Sequence, residues 1–229
     1  MGLNLWGSIY VAIGPANTEH GTCASMGRFI VIEGLDGAGT TTQCARLVRY
    51  LRERGRPTIL TQEPTDGEVG RLIRRVLSRK PESPDVRALP WLFAADRADH
   101  LFSEIEPALS VGTWVVSDRY YHSSLAYQSL TLPLERVHTL NNAFRVPDLT
   151  IFVDVGVDEA LRRIESRGAN REIYEERSRL EQIHRQYGQV LNLLRQEGEP
   201  IVTVDGKASI VEVTANIQKA VEALERAND

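Results

Sequence analysis

A glycine-rich segment at residues 34–42 carries the clearest chemical signal in the sequence. It reads Gly-Leu-Asp-Gly-Ala-Gly-Thr-Thr-Thr and lies between an apolar run and an amphipathic stretch. Glycines at 34, 37 and 39 let backbone N–H groups turn inward around phosphate oxygens, and the dipole of a following helix adds to the attraction. The segment therefore predicts a phosphate-binding loop, with a tight glycine turn as the simpler alternative.

The loop departs at one position from the usual pattern G-x-x-x-x-G-K-[ST]. Gly34, Gly39 and Thr41 match that pattern, but Thr40 stands where the lysine belongs. Thr41 keeps a hydroxyl that can bind Mg²⁺, and the backbone cradle does not depend on the side chain at position 40. Because residues 1–79 contain no lysine, a small shift of the pattern cannot restore the missing positive charge.

Two further groups of residues have types and spacing that suit nucleotide chemistry. Phe93 and Arg97 lie four residues apart on a predicted helix, so an aromatic surface and a planar donor can meet a base together. Arg163, Arg167 and Arg171 recur every four residues and flank a break at 168–170, where they can close over phosphates as a lid. The simpler alternatives are core packing for Phe93 and a solvent-facing basic stripe for the arginines.

Short apolar runs alternate with longer amphipathic stretches along the chain, which predicts an α/β fold with a parallel sheet covered on both faces. Strands are predicted at 29–33, 58–61, 114–117, 149–153 and 201–204. Helices are predicted at 41–54, 69–79, 86–109, 134–144, 158–167, 174–196 and 209–226. In such sheets ligands bind at the carboxyl ends of the strands, where the glycine-rich loop is expected.

Composition narrows the possible functions. A chain of 229 residues with 42% hydrophobic and 25% charged residues fits one globular domain. Its formal charge of −4 argues against a protein that coats nucleic acid. Cys23 and Cys44 provide neither a disulfide framework nor metal-ligand spacing, which is typical of the reducing cytoplasm.

The first 26 residues differ in character from the rest. Residues 3–13 are mildly apolar but short and interrupted, so they predict neither a signal peptide nor a membrane span, and residues 14–25 are typical of a linker. We expect a dispensable extension at 1–26 followed by one domain at 27–229, the alternative being a targeting or docking arm.

Several separated motifs resemble the thymidylate kinase family in order and spacing, from about residue 27 to near residue 226. They are F-I-V-I-E-G-L-D-G-A-G at 29–39, T-Q-E-P at 61–64, L-F-A-A-D-R at 92–97, S-D-R-Y at 117–120, S-L-A-Y-Q at 124–128, P-D-L at 147–149 and the arginine-bearing stretch 163–175. The resemblance implies a three-layer P-loop NTPase fold with a lid segment. It also implies transfer of a phosphoryl group from ATP to dTMP with Mg²⁺, in a cytoplasmic homodimer without nucleic-acid or membrane partners.

The resemblance assigns roles to individual residues. Phe93 would stack on thymine and Arg97 would bond the base carbonyl, while Asp36 would hold the 3′-hydroxyl of the acceptor sugar. Arg74 and Arg119 would approach the acceptor phosphate. The remaining implied acceptor contacts are Glu63, Ser124, Tyr127 and Gln128. The implied ATP-binding residues are Gly34, Leu35, Asp36, Gly37, Ala38, Gly39, Thr40, Thr41 and Thr42. The implied catalytic residues are Arg171, Arg167 and Asp36, and the implied metal contacts are Thr41 and, through water, Asp118.

Two departures from the family pattern leave alternatives open. Gln62 replaces the arginine of the family's R-E-P turn, and R-E-I-Y-E at 171–175 differs from the usual D-R-x-E signature of the lid. Thr40 in place of the lysine also leaves open a nucleotide-binding regulator that kept the pocket and lost turnover with its lysine. A kinase for another nucleoside monophosphate is the second alternative.

The character of the N-terminal residues leads to a prediction. Because the first predicted strand begins after Arg28, deletion of residues 1–25 should leave the melting temperature and the affinity for ATP unchanged. Thermal unfolding and calorimetric titration of the truncated protein test this. A large drop in melting temperature would refute it.

Overall fold

The computed structural model describes residues 27–79, 82–166 and 173–226. Its first half contains β1 (Phe29–Gly34), α1 (Thr40–Glu53), β2 (Thr58–Gln62), α2 (Glu68–Leu77), α3 (Leu89–His100) and α4 (Glu106–Ser110). Its second half contains β3 (Trp114–Asp118), α5 (Tyr121–Gln128), α6 (Leu134–Thr139), β4 (Leu149–Asp154), α7 (Gly156–Glu165), α8 (Ile173–Gln196), β5 (Ile201–Asp205) and α9 (Ile210–Arg226). The predicted extension at 1–26 lies outside the described residues.

The five strands form one parallel sheet in the order β2-β3-β1-β4-β5. The α/β prediction is therefore confirmed, and each predicted strand is present to within one residue of its bounds. β1 lies at the centre, with β3 on one side and β4 on the other, and Ile32 pairs with Asp118. This register brings the segment after β1 next to the end of β3.

Side chains of β1 alternate between two apolar clusters on opposite faces of the sheet. Ile30 and Ile32 belong to the cluster under α1, α8 and α9, whereas Phe29 and Val31 belong to the cluster under α4 and α5. Every residue of β1 is buried, as expected of a central parallel strand that reads as a continuous apolar run. The only charged residue in it is Glu33.

The helical region predicted at 86–109 is interrupted. It consists of a 3₁₀ turn at Val86–Ala88, then α3, a π-helical segment at Leu101–Ile105 and α4. Pro107 lies in the first turn of α4, and its ring cannot donate a hydrogen bond to the carbonyl four residues earlier. The helix widens into the π segment just before this proline, where the regular hydrogen-bond pattern is interrupted. The prediction of one uninterrupted helix was therefore wrong.

Two other helices differ from the prediction. The helix predicted at 134–144 ends at Thr139. Just beyond it, the backbone N–H of Asn141 donates to the carbonyl of His138, and the side-chain amide of Asn141 donates to the carbonyl of Val137. The helix α5 was not predicted. Six of its eight residues are buried, among them the polar His122 and Ser124, so its sequence shows no amphipathic period. Among the helices in the described ranges, none combines the length and apolarity needed to cross a membrane.

Two glycines in helices provide a test of the packing. A Cβ at Gly70 in α2 would lie 1.9 Å from the carbonyl oxygen of Thr65, whereas a Cβ at Gly188 in α8 would meet nothing within 4 Å. We predict that Gly70→Ala lowers the free energy of unfolding by about 1–3 kcal/mol because the turn at Thr65 must move. Gly188→Ala should raise it by about 1 kcal/mol because alanine is the better helix former. Urea unfolding measures both, and equal effects of the two substitutions would contradict this packing.

Candidate functional site

The glycine-rich loop connects β1 to α1 at the carboxyl edge of the sheet, as predicted. At Gly34 a Cβ would lie 2.8 Å from the Cβ of Ala38 and 2.9 Å from the carbonyl oxygen of Val153, so only glycine fits there. Gly39 caps α1 with φ +87°, a left-handed conformation that favours glycine, and the space beside its Cα is open. The N–H groups of the first turn of α1 lack intrahelical acceptors and are available to an anion.

Thr41 and Asp118 meet beside this loop and form a set of hard oxygen ligands. The Thr41 hydroxyl donates to Oδ2 of Asp118 at 2.5 Å, while Oδ1 of Asp118 is buried without a hydrogen-bond partner in the described part of the chain. A buried carboxylate oxygen without a partner is costly unless a ligand satisfies it. The pair therefore fits a Mg²⁺ ion that takes its other oxygens from phosphate and water.

No cluster of three or more His, Cys, Asp or Glu side chains suited to a metal occurs within the described ranges. A metal at Thr41 and Asp118 would thus depend on nucleotide phosphates for its remaining ligands, as Mg²⁺ commonly does. The pair also borders a cleft of about 350 Å³ that extends toward Thr61, Gln62 and Thr65. Cys44 lines that cleft but is itself buried, and burial followed by the Asp118 charge raises the pKa of its thiol, which keeps it protonated.

Thr40, the residue in place of the lysine, is 7% exposed. Its methyl group would lie 3.2 Å from a Cβ at Gly34, so its side chain faces the loop. The loop itself contains no cationic side chain. Positive charge near it must come from other elements, and Arg119 and Arg163 are the described arginines that contact the loop.

Arg119 and Asp36 form an ion pair at the mouth of the site. Nη2 of Arg119 donates to Oδ1 of Asp36 at 2.8 Å, and the guanidinium lies over the ring of Tyr127, with its carbon 5.4 Å from the ring centroid. The Asp36 side chain is 55% exposed, so a ligand can reach it. Arg119 has φ +75° directly after β3, and its N–H bonds the carbonyl of Ile32 in β1. The structure thus brings together three residues that the family resemblance assigned to the acceptor.

Arg97 lies in a second polar network that is closed to solvent. Nε and Nη2 donate to one oxygen of Glu63 at 2.9 and 2.7 Å, Nη2 also donates to the Ser124 hydroxyl at 3.0 Å, and Nη1 bonds the side-chain oxygen of Asn141. Arg97 is 0% exposed and its guanidinium lies over the ring of Tyr120. Four of its five N–H groups are thereby engaged, and removing either partner of its ion pair would leave an uncompensated buried charge.

Other predicted acceptor residues have distinct surroundings. Phe93 is partly exposed and belongs to neither apolar cluster of the described chain, which disfavours plain core packing. Gln128 is buried, with its Oε1 unpartnered among the described residues. Arg74 donates to the carbonyls of Pro64 and Thr65 at 2.6 Å and pairs with Asp66, so its contacts stabilise the turn after β2. A phosphate contact for Arg74 stays a prediction.

The predicted lid is described only in part. Arg163 donates to Glu159 at 2.6 Å, to the carbonyl of Gly206 at 3.0 Å and to the carbonyl of Ala38 at 3.4 Å. It is therefore bound to the phosphate loop and to the segment after β5 rather than to solvent. Arg167 and Arg171 lie outside the described residues, and their roles stay predictions.

Some residues that organise the site were not predicted. Buried Asp96 accepts hydrogen bonds from the N–H and hydroxyl of Thr65, and buried Glu33 accepts from the segment after β3 and from Tyr187. The role of Glu33 could have been predicted, because a charged residue at the end of an apolar strand is unusual. The roles of Asn141 and Tyr187 could not, because their hydrogen-bond partners lie far away in the sequence.

Comparison with known proteins identifies the family. The family model described as thymidylate kinase matches residues 32–217. A probable thymidylate kinase of Pyrococcus horikoshii is 46% identical over 147 residues, covering 62% of this chain and 72% of the relative. Those of Methanococcus aeolicus and Thermococcus gammatolerans are 39% and 45% identical, covering 73% and 64% of this chain and 81% and 74% of the relatives. The chain therefore belongs to the thymidylate kinase family.

Proposed function

We propose that this protein transfers the γ-phosphoryl group of ATP to dTMP, giving dTDP and ADP for dTTP synthesis. The observation that carries the proposal is the 2.8 Å contact between Arg119 and Asp36, because it joins a cation suited to the acceptor phosphate to the loop that cradles the donor. The relatives' printed name, probable thymidylate kinase, supports dTMP as the acceptor. It favours neither a regulator without turnover nor a kinase for another monophosphate.

The donor phosphates bind the backbone N–H groups of the loop and of the first turn of α1. Thr41 and Asp118 would hold Mg²⁺, which would neutralise charge on the phosphates. These contacts do not use the side chain at position 40. The loss of the lysine therefore removes one positive charge from the site without dismantling the cradle.

The acceptor lies on the side of Arg119 and α3. Its phosphate meets the guanidinium of Arg119, its 3′-hydroxyl meets Asp36, and its base stacks on Phe93. Gln128, whose Oε1 has no partner among the described residues, borders the sugar and base. The ring of Tyr127, held under Arg119, borders C2′ and disfavours a ribose hydroxyl by sterics. Arg97, which the resemblance assigns to the base carbonyl, is held by Glu63 and Ser124 and is 0% exposed, so its one remaining N–H reaches the base only if this closed network opens to the acceptor.

Catalysis in this arrangement consists of positioning and charge neutralisation, because a phosphate oxygen of the acceptor needs little help from a base. Arg167 or Arg171 closes over the donor phosphates, excludes water and supplies the charge that Thr40 lacks. Arg163 anchors α7 against the loop.

The proposal extends to the oligomeric state, the cellular location and the N-terminal extension. We propose a homodimer, supported by the exposed apolar side chains of Leu77 in α2, Trp91 in α3 and Phe102 in the π-helical segment after α3. We also propose a cytoplasmic location, supported by the two cysteines without disulfide spacing, and a dispensable extension at 1–26.

An acceptor panel tests the substrate. With ATP and Mg²⁺, the purified protein should phosphorylate dTMP with a higher kcat/KM than dUMP, dCMP, dGMP or AMP. Phe93→Ala should weaken dTMP binding by about 1–3 kcal/mol because base stacking is lost. Coupled ADP release and calorimetric titration measure the two effects.

ATP affinity is the internal control for this variant. It should stay nearly unchanged in Phe93→Ala, because the ring lies on the acceptor side. An equal loss for both nucleotides would show that Phe93 supports the fold, and a better acceptor than dTMP would contradict the proposed substrate.

Thr40 leads to a second prediction. A stabilising group at the transferring phosphates is commonly worth about 3 kcal/mol, or about a hundredfold in rate. Thr40→Lys should therefore raise kcat/KM for ATP, since the cradle and Thr41 are already in place. Arg171→Ala should cost more in the natural background than in Thr40→Lys, because the two groups share one role. Steady-state kinetics of the natural protein, the two single variants and the double variant measures this. Strictly additive effects of the two substitutions on kcat/KM would contradict a shared role.

A further inference from the structure

Glu33 is the most completely engaged buried carboxylate in the described chain. It is the penultimate residue of β1, directly before the glycine-rich segment at 34–42, and is 0% exposed. Oε1 accepts the N–H groups of Tyr120 and Ser123 at 2.8 and 3.2 Å, and Oε2 accepts the hydroxyls of Ser123 and Tyr187 at 2.7 and 2.9 Å. Four donors from two other elements thus converge on one side chain.

Both hydroxyls bound by Glu33 also face Arg119. Nη1 of Arg119 lies 3.0 Å from the Ser123 oxygen and 3.4 Å from the Tyr187 oxygen, and the two oxygens are 2.9 Å apart. Burial, and next the nearby Glu33 charge, raise the pKa of the Tyr187 hydroxyl well above its usual value, so it keeps its proton. When each hydroxyl gives its single proton to the carboxylate, it presents only lone pairs to the guanidinium.

We propose that Glu33 is a positioning residue for the acceptor phosphate, because it orders the protons of Ser123 and Tyr187 and thereby aims Arg119. With Nη1 held by these oxygens and one N–H of Nη2 held by Asp36, Nε and the second N–H of Nη2 have no partner among the described residues. Those two N–H groups are available to oxygens of a phosphate. This inference rests on the proposed function, in which Arg119 binds the phosphate of dTMP.

Glu33→Gln tests whether the direction of the Ser123 and Tyr187 hydroxyl protons matters, because glutamine has nearly the same shape as glutamate. The glutamine oxygen can still accept the two backbone N–H groups that cap α5, so the fold should persist. Its NH₂ group would donate to the two hydroxyls, whose protons must then leave the carboxylate and point toward Arg119, toward each other or, for Tyr187, toward the Gly34 carbonyl. Fewer lone pairs then face the guanidinium, and its orientation is less well fixed.

The readout is the difference in affinity between dTMP and thymidine, which lacks the phosphate. In the intact protein dTMP should bind more tightly than thymidine. In Glu33→Gln, dTMP affinity should fall about tenfold, the scale of one charge-assisted hydrogen bond, while thymidine affinity stays unchanged. Tyr187→Phe, which removes one of the two hydroxyls, should lower dTMP affinity in the same selective way and serves if Glu33→Gln does not fold.

A double-mutant cycle and a matched control complete the test. In an Arg119→Ala background, Glu33→Gln should have no further effect on dTMP affinity. Glu63→Gln, the same exchange in the Arg97 network, should weaken thymidine and dTMP alike. The inference is overturned if Glu33→Gln lowers the affinities for dTMP and thymidine equally, or if it lowers dTMP affinity to the same extent in the Arg119→Ala background. Glu33 would then only cap α5. Absence of dTMP binding in the intact protein would instead overturn the proposed function, and this inference with it.

Discussion

Hydrogen bonding between β1 and β3 is the constraint on which the site depends. The pairing of Ile32 with Asp118 fixes the end of β3 beside the phosphate loop, so the Thr41 hydroxyl reaches the Asp118 carboxylate. One residue further along, Arg119 turns back with its N–H bonded to Ile32 and its guanidinium reaching Asp36. A shift of one residue in this register would exchange the faces of β3 and separate both pairs.

Two buried carboxylates, Glu33 and Glu63, connect the ends of the strands to the elements that hold the proposed ligand-binding side chains. Glu33 links the end of β1 to the start of α5 and to α8, and Glu63 links the end of β2 to Arg97 in α3. Glu63 binds Arg97 directly, whereas Glu33 binds the two hydroxyls that contact Arg119, and the family resemblance places both arginines on the acceptor. The donor side is built differently: it relies on backbone N–H groups and on the Thr41–Asp118 pair, which explains how the cradle persists with Thr40 at the lysine position.

Much of the fold and part of the site could be predicted from the sequence. Buried parallel strands appear as short apolar runs, and the glycine-rich loop depends on local backbone geometry, so both were found. The helix at 121–128 was missed because buried polar residues remove its amphipathic period, and the break near Pro107 was missed because a π segment has no simple sequence pattern. The link from Glu33 to Tyr187 joins residues 154 positions apart, a separation that no local spacing encodes.

The central claim is that the chain with Thr40 in its phosphate loop still transfers phosphoryl groups. The most direct measurement is a single-turnover experiment in which excess purified protein is mixed with γ-labelled ATP, Mg²⁺ and dTMP, and the products are separated after rapid quenching. The account predicts label in dTDP, formed more slowly than in Thr40→Lys. If the protein binds ATP and dTMP at saturation but no label reaches dTDP, the kinase account is contradicted.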